Sequence, residues 1–194
     1  MKSLILFFYL LLLTTTGVHA QMIHTFAGNG TVGSSGNGGP AISAQLYDPQ
    51  AVCSDNSGNI YIADHENHVV RRVNSAGSIS VFAGTGVSGN SGDGGPASVA
   101  QLGYPYGVCS DPAGNIYITD RHYQVVRKVD ISGSISTVAG TGVFGYSGNG
   151  GPATAAKLYA PTSICADNLG NIYFAEFGNQ VIRKVNSSGI ISTV

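Results

Sequence analysis

The amino-acid sequence repeats itself three times, at a fixed interval and without a gap. The segment "VCSDNSGNIYIADHENHVVRRVN" at 52–74 matches "VCSDPAGNIYITDRHYQVVRKVD" at 108–130 and "ICADNLGNIYFAEFGNQVIRKVN" at 164–186. A long, fixed period is typical of architectures in which each copy is one structural unit that packs against its neighbours. The chain can therefore serve as its own alignment.

Each unit contains four short apolar segments, which in the middle copy are "GVCS", "NIYIT", "QVVRKV" and "SISTVAG". The short connectors between them carry Asp, Pro, Gly or Ser, which favours hairpins and hence an antiparallel meander of strands a, b, c and d. Strands a, b and d lack the alternation of apolar and polar residues expected of a sheet with one solvated face, so both faces should be buried.

Small sheets that are buried between copies of themselves are the blades of a β-propeller. We therefore predict an all-β fold of four-stranded antiparallel blades, with blade units at about 51–86, 107–142 and 163–194 and an extra N-terminal strand at 22–28. A β-solenoid is the competing repeat fold, but its parallel rungs do not require four hairpin signals in each unit.

The segment at 1–20 has the pattern of a secretory signal peptide, with Lys2, an apolar run from Leu4 to Leu13 and small residues at Val18 and Ala20. The run is shorter than the ~20 residues that a membrane-spanning helix needs. We expect cleavage after Ala20 and a secreted protein, extracellular or periplasmic, without membrane insertion. Of the nine Lys and Arg residues one is Lys2, which leaves fewer basic than acidic side chains and does not favour a nucleic-acid partner.

Two further segments resemble a known family. The run "GVCSDPAGNIYITD…QVVRKV" at 107–129 resembles the NHL repeat, and "VAGTGVFGYSGNGGPATAAKLYAP" at 138–161 is similar to the longer NHL units of teneurin ectodomains and of exported bacterial proteins. The resemblance covers 22–194 and implies a propeller of about six blades used mainly as a binding platform. The cysteines depart from the family pattern, which more often has a small aliphatic residue there.

Residues that recur in every unit should serve the blade, because a catalytic site needs only one copy of each group. Aspartates that precede a glycine by three positions predict Asx-type turns rather than metal loops: Asp55, Asp111 and Asp167. An acid that ends strand b and an arginine in strand c predict pairing across the sheet or between blades: Asp64, Asp120 and Glu176 with Arg71, Arg127 and Arg183. Cys53, Cys109 and Cys165 occupy equivalent positions, which predicts buried free thiols rather than a disulfide.

The glycine-rich loops "GNGGPA" (36–41), "GDGGPA" (92–97) and "GNGGPA" (148–153) recur as well. A phosphate-binding loop follows a strand and opens a substantial helix. Here the proline can start only a short helical turn, and no Lys-Ser/Thr pair is present. These loops are predicted to be crossings between blades rather than nucleotide sites, and we expect no cofactor.

Meander geometry places the b–c connections and the long d–a links at the same end of every blade, and there the units differ. Exposed aromatic, histidine and arginine side chains on loops are typical of recognition surfaces. The interpretation is a non-catalytic module that binds a protein or carbohydrate partner, although these side chains could instead pack against neighbouring loops. The candidate partner-binding residues are His65, His68, Tyr104, Tyr106, Arg121, His122, Tyr123, Phe144, Tyr146 and Phe177.

An enzymatic alternative is a propeller hydrolase or lyase of the lactonase kind, with Ca²⁺ or Zn²⁺ at the central mouth. Near the mouth the sequence offers only Asp48, while His65 and His68 lack an evident third ligand. No nucleophile, base and acid stand out as a set. We therefore predict no catalytic residues and no metal ion. A third alternative is a structural spacer without a discrete ligand.

Three blades do not close a ring, since propellers use typically about 4–8. The segments Ile23 to Ala27 and Ile190 to Val194 both look like d strands, and the last unit therefore already has its own strand d. We expect a piece of a larger ring. The alternative is self-assembly of two chains into one six-bladed ring.

Overall fold

The computed structural model describes residues 22–194, so the predicted signal peptide at 1–20 lies outside the described residues. The chain forms three four-stranded antiparallel sheets, each with its strands paired in chain order, which confirms the predicted blades. The first blade consists of β1 (Pro49–Ser54), β2 (Ile60–Asp64), β3 (Val69–Val73) and β4 (Ile79–Ala83). The second consists of β5 (Pro105–Ser110), β6 (Ile116–Asp120), β7 (Val125–Val129) and β8 (Ile135–Ala139). The third consists of β9 (Pro161–Ala166), β10 (Ile172–Glu176), β11 (Val181–Val185) and β12 (Ile191–Thr193).

The helices within the described residues are short 3-10 turns in the connections. They are Ala41–Ser43, His65–Asn67, Ala97–Val99 and Ala153–Ala155. Three of them follow the proline of a glycine-rich loop, as the sequence predicts. No helix within residues 22–194 has the length and apolar character needed to span a lipid bilayer.

The hairpin between strands a and b is held by one aspartate. The carboxylate of Asp167 accepts hydrogen bonds from the backbone N–H groups of Leu169 and Asn171, both at 2.9 Å, and from the Asn171 side chain at 2.7 Å. These hydrogen bonds, the Asn171 side chain first, lower the pKa of Asp167 to about 2. Gly170 has a φ of +80°, which a side chain would strain. The same contacts recur at Asp55, so this Asx-type turn is a feature of the repeat.

The core lies between the blades, where the faces of neighbouring sheets pack against each other. Every residue of β6 is buried, which explains why this strand reads as a continuous apolar run rather than an alternating one. One cluster joins the first and second blades through residues such as Val70, Leu102 and Ile118, and another joins the second and third through Val126 and Phe174.

The glycine-rich loops belong to crossing links (28–48, 84–104 and 140–160). Each link forms backbone hydrogen bonds with the beginning of the outer strand of the blade that follows. Gly94 donates its N–H to the carbonyl of Ile135 at 2.8 Å, and Ala97 donates to Gly133 at 2.9 Å. At Gly92, with a φ of +97°, an added Cβ would lie 2.7 Å from the Ala100 backbone. Close backbone packing therefore requires glycine, and the loop serves the crossing between blades.

A fully buried arginine on strand c of each blade holds its crossing link. In the first and third blades it pairs across the sheet, Arg71 with Asp64 at 3.4 Å and Arg183 with Glu176 at 2.9 Å. The second blade differs from the predicted pattern, because Arg127 pairs with Asp93 at 2.6 Å. Asp93 is the acid of "GDGGPA", where the other two loops carry asparagine.

Asp120 therefore does not form the ion pair with Arg127 that the sequence predicts. Its carboxylate accepts backbone hydrogen bonds from Gly103 at 2.5 Å and from Tyr123 at 3.0 Å. These bonds tie the crossing link to the connection between strands b and c. The acid at the end of strand b thus organises loops whether or not it also pairs with an arginine.

The segment at 22–28, predicted as an N-terminal strand, forms no strand. A strand needs a partner for its backbone N–H and C=O groups, and within the described residues each of the c strands β3, β7 and β11 already pairs with its own d strand. Ile23 is accordingly 97% exposed.

The three cysteines are free, with no disulfide among the described residues, but they are not equally buried. Cys109 is buried, Cys53 is half-buried and Cys165 is exposed. The prediction of buried thiols is right for the middle blade and wrong for the third. Burial of this position depends on a neighbouring blade, and of the three blades in residues 22–194 only the middle one is covered on both faces.

Candidate ligand-binding site

The connections between strands b and c (65–68, 121–124 and 177–180, here the b–c loops) meet the crossing links at one end of the blades. The contact is a backbone hydrogen bond in each unit, from Glu66 to Tyr47 at 3.2 Å, from Arg121 to Tyr104 at 3.1 Å and from Phe177 to Ala160 at 3.0 Å. The donor in the first unit lies one position further along its b–c loop than the donors in the other two. The repeated hydrogen bonds form a common frame, on which the side chains that differ between the units are displayed. We call this end the loop face.

Aromatic rings connect the first and second blades across the loop face. The ring of Tyr104 lies 4.8 Å from that of His65, 4.8 Å from that of His68 and 5.4 Å from that of His122. His122 in turn contacts Tyr123 edge-on at 4.9 Å. Contacts of this geometry favour a fixed arrangement of rings, so the surface is largely preorganised.

Arg121 extends this cluster to the third blade. Its guanidinium lies 5.3 Å from the ring centre of Tyr106 and 5.5 Å from that of Phe177. Tyr106 also contacts His65 edge-on, with the ring centres 5.8 Å apart. The arginine therefore stands between two aromatic rings from different blades while its charge faces a partly exposed surface.

A cleft of about 390 Å³ opens within this cluster. Its walls come from the b–c loops of the first two blades and from the crossing links that lead into the second and third. The lining residues are His65, Glu66, Tyr104, Arg121, His122, Gln124, Tyr159 and Ala160. The cleft therefore combines aromatic rings with a cation, an acid, two imidazoles and an amide.

Eight of the ten predicted partner-binding residues join this cluster of rings and charges. They are His65, His68, Tyr104, Tyr106, Arg121, His122, Tyr123 and Phe177.

The structure does not bring the other two into the cluster. Phe144 is 70% exposed and lies 5.8 Å from Tyr159, outside the cleft. The hydroxyl of Tyr146 is 2.7 Å from that of Thr193, and its ring covers the buried Arg183 at 5.1 Å. Tyr146 therefore packs on its own blade.

Sequence reasoning missed several cleft residues. Gln124, in the left-handed conformation with a φ of 55°, accepts a hydrogen bond from the N–H of Ala160 at 2.5 Å and so closes one wall. Tyr159 belongs to the crossing link that leads into the third blade, far from Gln124 along the chain. Only the packing of a link against the preceding b–c loop brings these residues together, and no local pattern signals it.

A second arrangement that the sequence did not suggest lies at the edge of the cleft. The Nδ1 atom of His65 is 3.4 Å from the Asp48 carboxylate and 3.6 Å from that of Glu66. Burial lowers the pKa of His65 below its ordinary value, against the opposing effect of these two carboxylates. His68, which had been the other candidate histidine, instead directs its Nδ1 atom to the carbonyl of Gly103.

Comparison with known proteins agrees with this architecture. The sequence model of the NHL repeat matches residues 46–72. Human teneurin-1 is 31% identical over 194 aligned residues, which cover 89% of this chain and 6% of teneurin-1. This chain thus spans only a small part of that relative.

Two solved structures show the same fold over part of their length. A protein of unknown function from Bacteroides thetaiotaomicron superposes with a TM-score of 0.64 and 27% identity, over 80% of this chain and 38% of that one. An auxiliary nutrient binding protein from Bacteroides ovatus superposes with a TM-score of 0.60 and 20% identity, over 79% and 39% respectively.

Successive four-stranded meander sheets that pack face to face define the blades of a β-propeller. The NHL model matches the first unit, at residues 46–72, and the other two units repeat the sequence of that unit. The chain is an NHL-repeat β-propeller.

Proposed function

We propose that this chain is a non-catalytic recognition module that binds a carbohydrate through the cleft on the loop face. The proposal is supported by a difference between two groups of sequence positions. Residues that recur in all units build the frame, whereas the cleft is lined by residues that differ between units, such as Tyr104, Arg121 and His122. A surface selected only for folding would be expected to repeat with the fold.

The chemistry of the cleft favours a carbohydrate over a protein partner. Its volume of about 390 Å³ is in the range of small-ligand sites, roughly 300–1,000 Å³. Aromatic rings offer apolar faces to the C–H groups of a sugar, while Arg121, Glu66 and His122 supply hydrogen-bond donors and acceptors for its hydroxyls. A protein partner would need a wider contact area, about 800 Å² on each side.

The proposed location is outside the cytoplasm, in an extracellular or periplasmic compartment. The support is the signal-peptide pattern at 1–20, with its basic Lys2 and its apolar run. A module in such a compartment would meet polysaccharides and glycoproteins directly.

The test is a glycan array with the purified chain, followed by calorimetric titration of each glycan that binds. Arg121→Ala combined with His122→Ala should weaken binding at least tenfold, because both residues line the cleft. A matched control is Ile131→Ser, which alters an exposed side chain in the connection between β7 and β8. Retained binding in the double variant would refute the proposal, as would a protein ligand in place of any glycan.

A metal-dependent hydrolase or lyase is the second candidate. The specific observation in its favour is the group formed by Asp48, His65 and Glu66, whose ligating atoms lie within 4.8 Å of one another. In a hydrolase the ion would activate a water molecule as nucleophile, whereas in a lyase it would act as a Lewis acid on the substrate. Lactone turnover that depends on added Zn²⁺ would favour this function over recognition alone.

A further inference from the structure

Three potential ligand atoms converge beside the cleft, from three side chains of the first blade and its crossing link. They are Oδ2 of Asp48, Nδ1 of His65 and a carboxylate oxygen of Glu66, and all lie within 4.8 Å of one another. The two distances from Nδ1, 3.4 and 3.6 Å, exceed the usual 2.7–3.2 Å of an N–H···O hydrogen bond.

These distances fit another arrangement. In a tetrahedral zinc site with metal–ligand bonds of about 2.0–2.2 Å, neighbouring ligand atoms are separated by roughly 3.3–3.6 Å. The separations from Nδ1 to the two carboxylates match that edge length. Two of the three separations between these atoms therefore already fit the edges of a small-ion site, and the third is within 4.8 Å.

His65 supplies an independent observation. Both of its ring nitrogens are buried, and neither has a hydrogen-bond partner among the described residues. A buried polar group without a partner is destabilising, and such groups call for an explanation such as a bound ion. The rings of Tyr104 and Tyr106 pack against the imidazole at 4.8 and 5.8 Å, which fixes its position beside the carboxylates.

The combination occurs in one unit only. The positions of Asp48, His65 and Glu66 are occupied in the second unit by Tyr104, Arg121 and His122, and in the third by Ala160, Phe177 and Gly178. The fold of a blade therefore does not need an acid, a histidine and an acid here. A single copy is what a site requires.

We propose that Asp48, His65 and Glu66 form a binding site for a divalent transition-metal ion of the zinc class. One imidazole nitrogen and two carboxylate oxygens suit zinc, whereas Ca²⁺ prefers six to eight oxygen ligands. Three protein ligands leave the fourth tetrahedral position open to water or a ligand oxygen. Since His65 and Glu66 also line the cleft, the metal would form part of its wall.

The experiment uses the purified chain without an added histidine tag, treated with a chelator and titrated with Zn²⁺ by calorimetry. One zinc ion should bind per chain, with Ca²⁺ unable to displace it. Asp48→Asn and Glu66→Gln keep the shape of the side chain and should each weaken binding at least tenfold. His24→Ala removes an exposed histidine outside the site and should leave binding unchanged.

Substitution with Co²⁺ gives a second measurement, since a tetrahedral site produces intense visible absorption that Asp48→Asn should abolish. Circular dichroism of each variant checks that the blades still fold. The proposal is overturned if no stoichiometric zinc binds, if both carboxylate variants bind as tightly as the unaltered chain, or if His24→Ala weakens binding equally. In those cases the approach of His65 to the two carboxylates does not form a metal site. No glycan is present, so the result is independent of the proposed carbohydrate binding.

Discussion

The second and third blades have nearly the same sequence pattern and the same strand order, yet equivalent residues have different surroundings. Val126 on β7 is fully buried, whereas Ile182 at the same position on β11 is 47% exposed. Cys109 is buried and Cys165 is exposed. The strands are formed by each unit, but their burial is a property of the neighbouring blade. Two pairs of substitutions and one thiol-labelling experiment at equivalent positions test this comparison.

The largest loss of stability is expected when the arginines are replaced. Here the loss should be larger in the third blade, although the second blade is the more buried of the two. Arg183→Met leaves Glu176 fully buried without its partner, which should lower the free energy of unfolding by about 3–5 kcal/mol. Arg127→Met leaves Asp93, which is 48% exposed and can be hydrated, so the loss should be smaller, about 2 kcal/mol. Urea unfolding of both variants measures the difference. An equal or larger loss for Arg127→Met would show that burial of the partner acid does not decide the effect.

An intermediate effect is expected where only packing differs. Val126→Ala removes two methyl groups from the core between the second and third blades and should cost about 2 kcal/mol. Ile182→Ala removes more carbon atoms but from a half-exposed position, and should cost less than about 1 kcal/mol. The same urea unfolding experiment compares them. If Ile182→Ala is the more destabilising, β11 is covered in solution, for example by a second copy of the chain.

The smallest effect on stability, but a clear one on reactivity, is expected at the cysteines. Burial raises the pKa of the Cys109 thiol, and burial together with Asp55 raises that of Cys53 to about 12. Because the thiolate is the reactive form, a thiol reagent at mildly alkaline pH should modify Cys165 first and Cys109 only on unfolding. Mass spectrometry of the labelled chain identifies the modified residue. Rapid labelling of Cys109 in the native chain would contradict the described packing of the middle blade.

Much of the blade architecture could be predicted because it depends on local chemistry. The aspartate of each a–b hairpin bonds to backbone groups two and four positions later, as at Asp167, so a short pattern suffices to place the turn. The repeat then predicts three equal meanders. The same reasoning failed for the strand at 22–28, whose formation needs a partner that the described residues do not offer.

The candidate site was predictable only in outline. Positions that differ between units pointed to the loop face, and eight of them meet there. Tyr146 looked equivalent on the same grounds but packs over Arg183. The group formed by Asp48, His65 and Glu66 was missed because the aspartate precedes β1 whereas the histidine follows β2. They meet only when β1 and β2 pair, with Pro49 opposite Asp64.

The amino-acid sequence by itself determined the repeat, the four strands of each unit, the turns and the loop end at which the units differ. These features follow from interactions between residues that are close in the chain and from the repeat, which is visible in the sequence itself. The tertiary structure alone decided which thiol is exposed, which acid pairs with Arg127 and which side chains line the cleft. Each of these depends on contacts between residues that are far apart in the sequence. Whether such residues bury or pair with each other is decided by their distance in space, which the sequence pattern does not give.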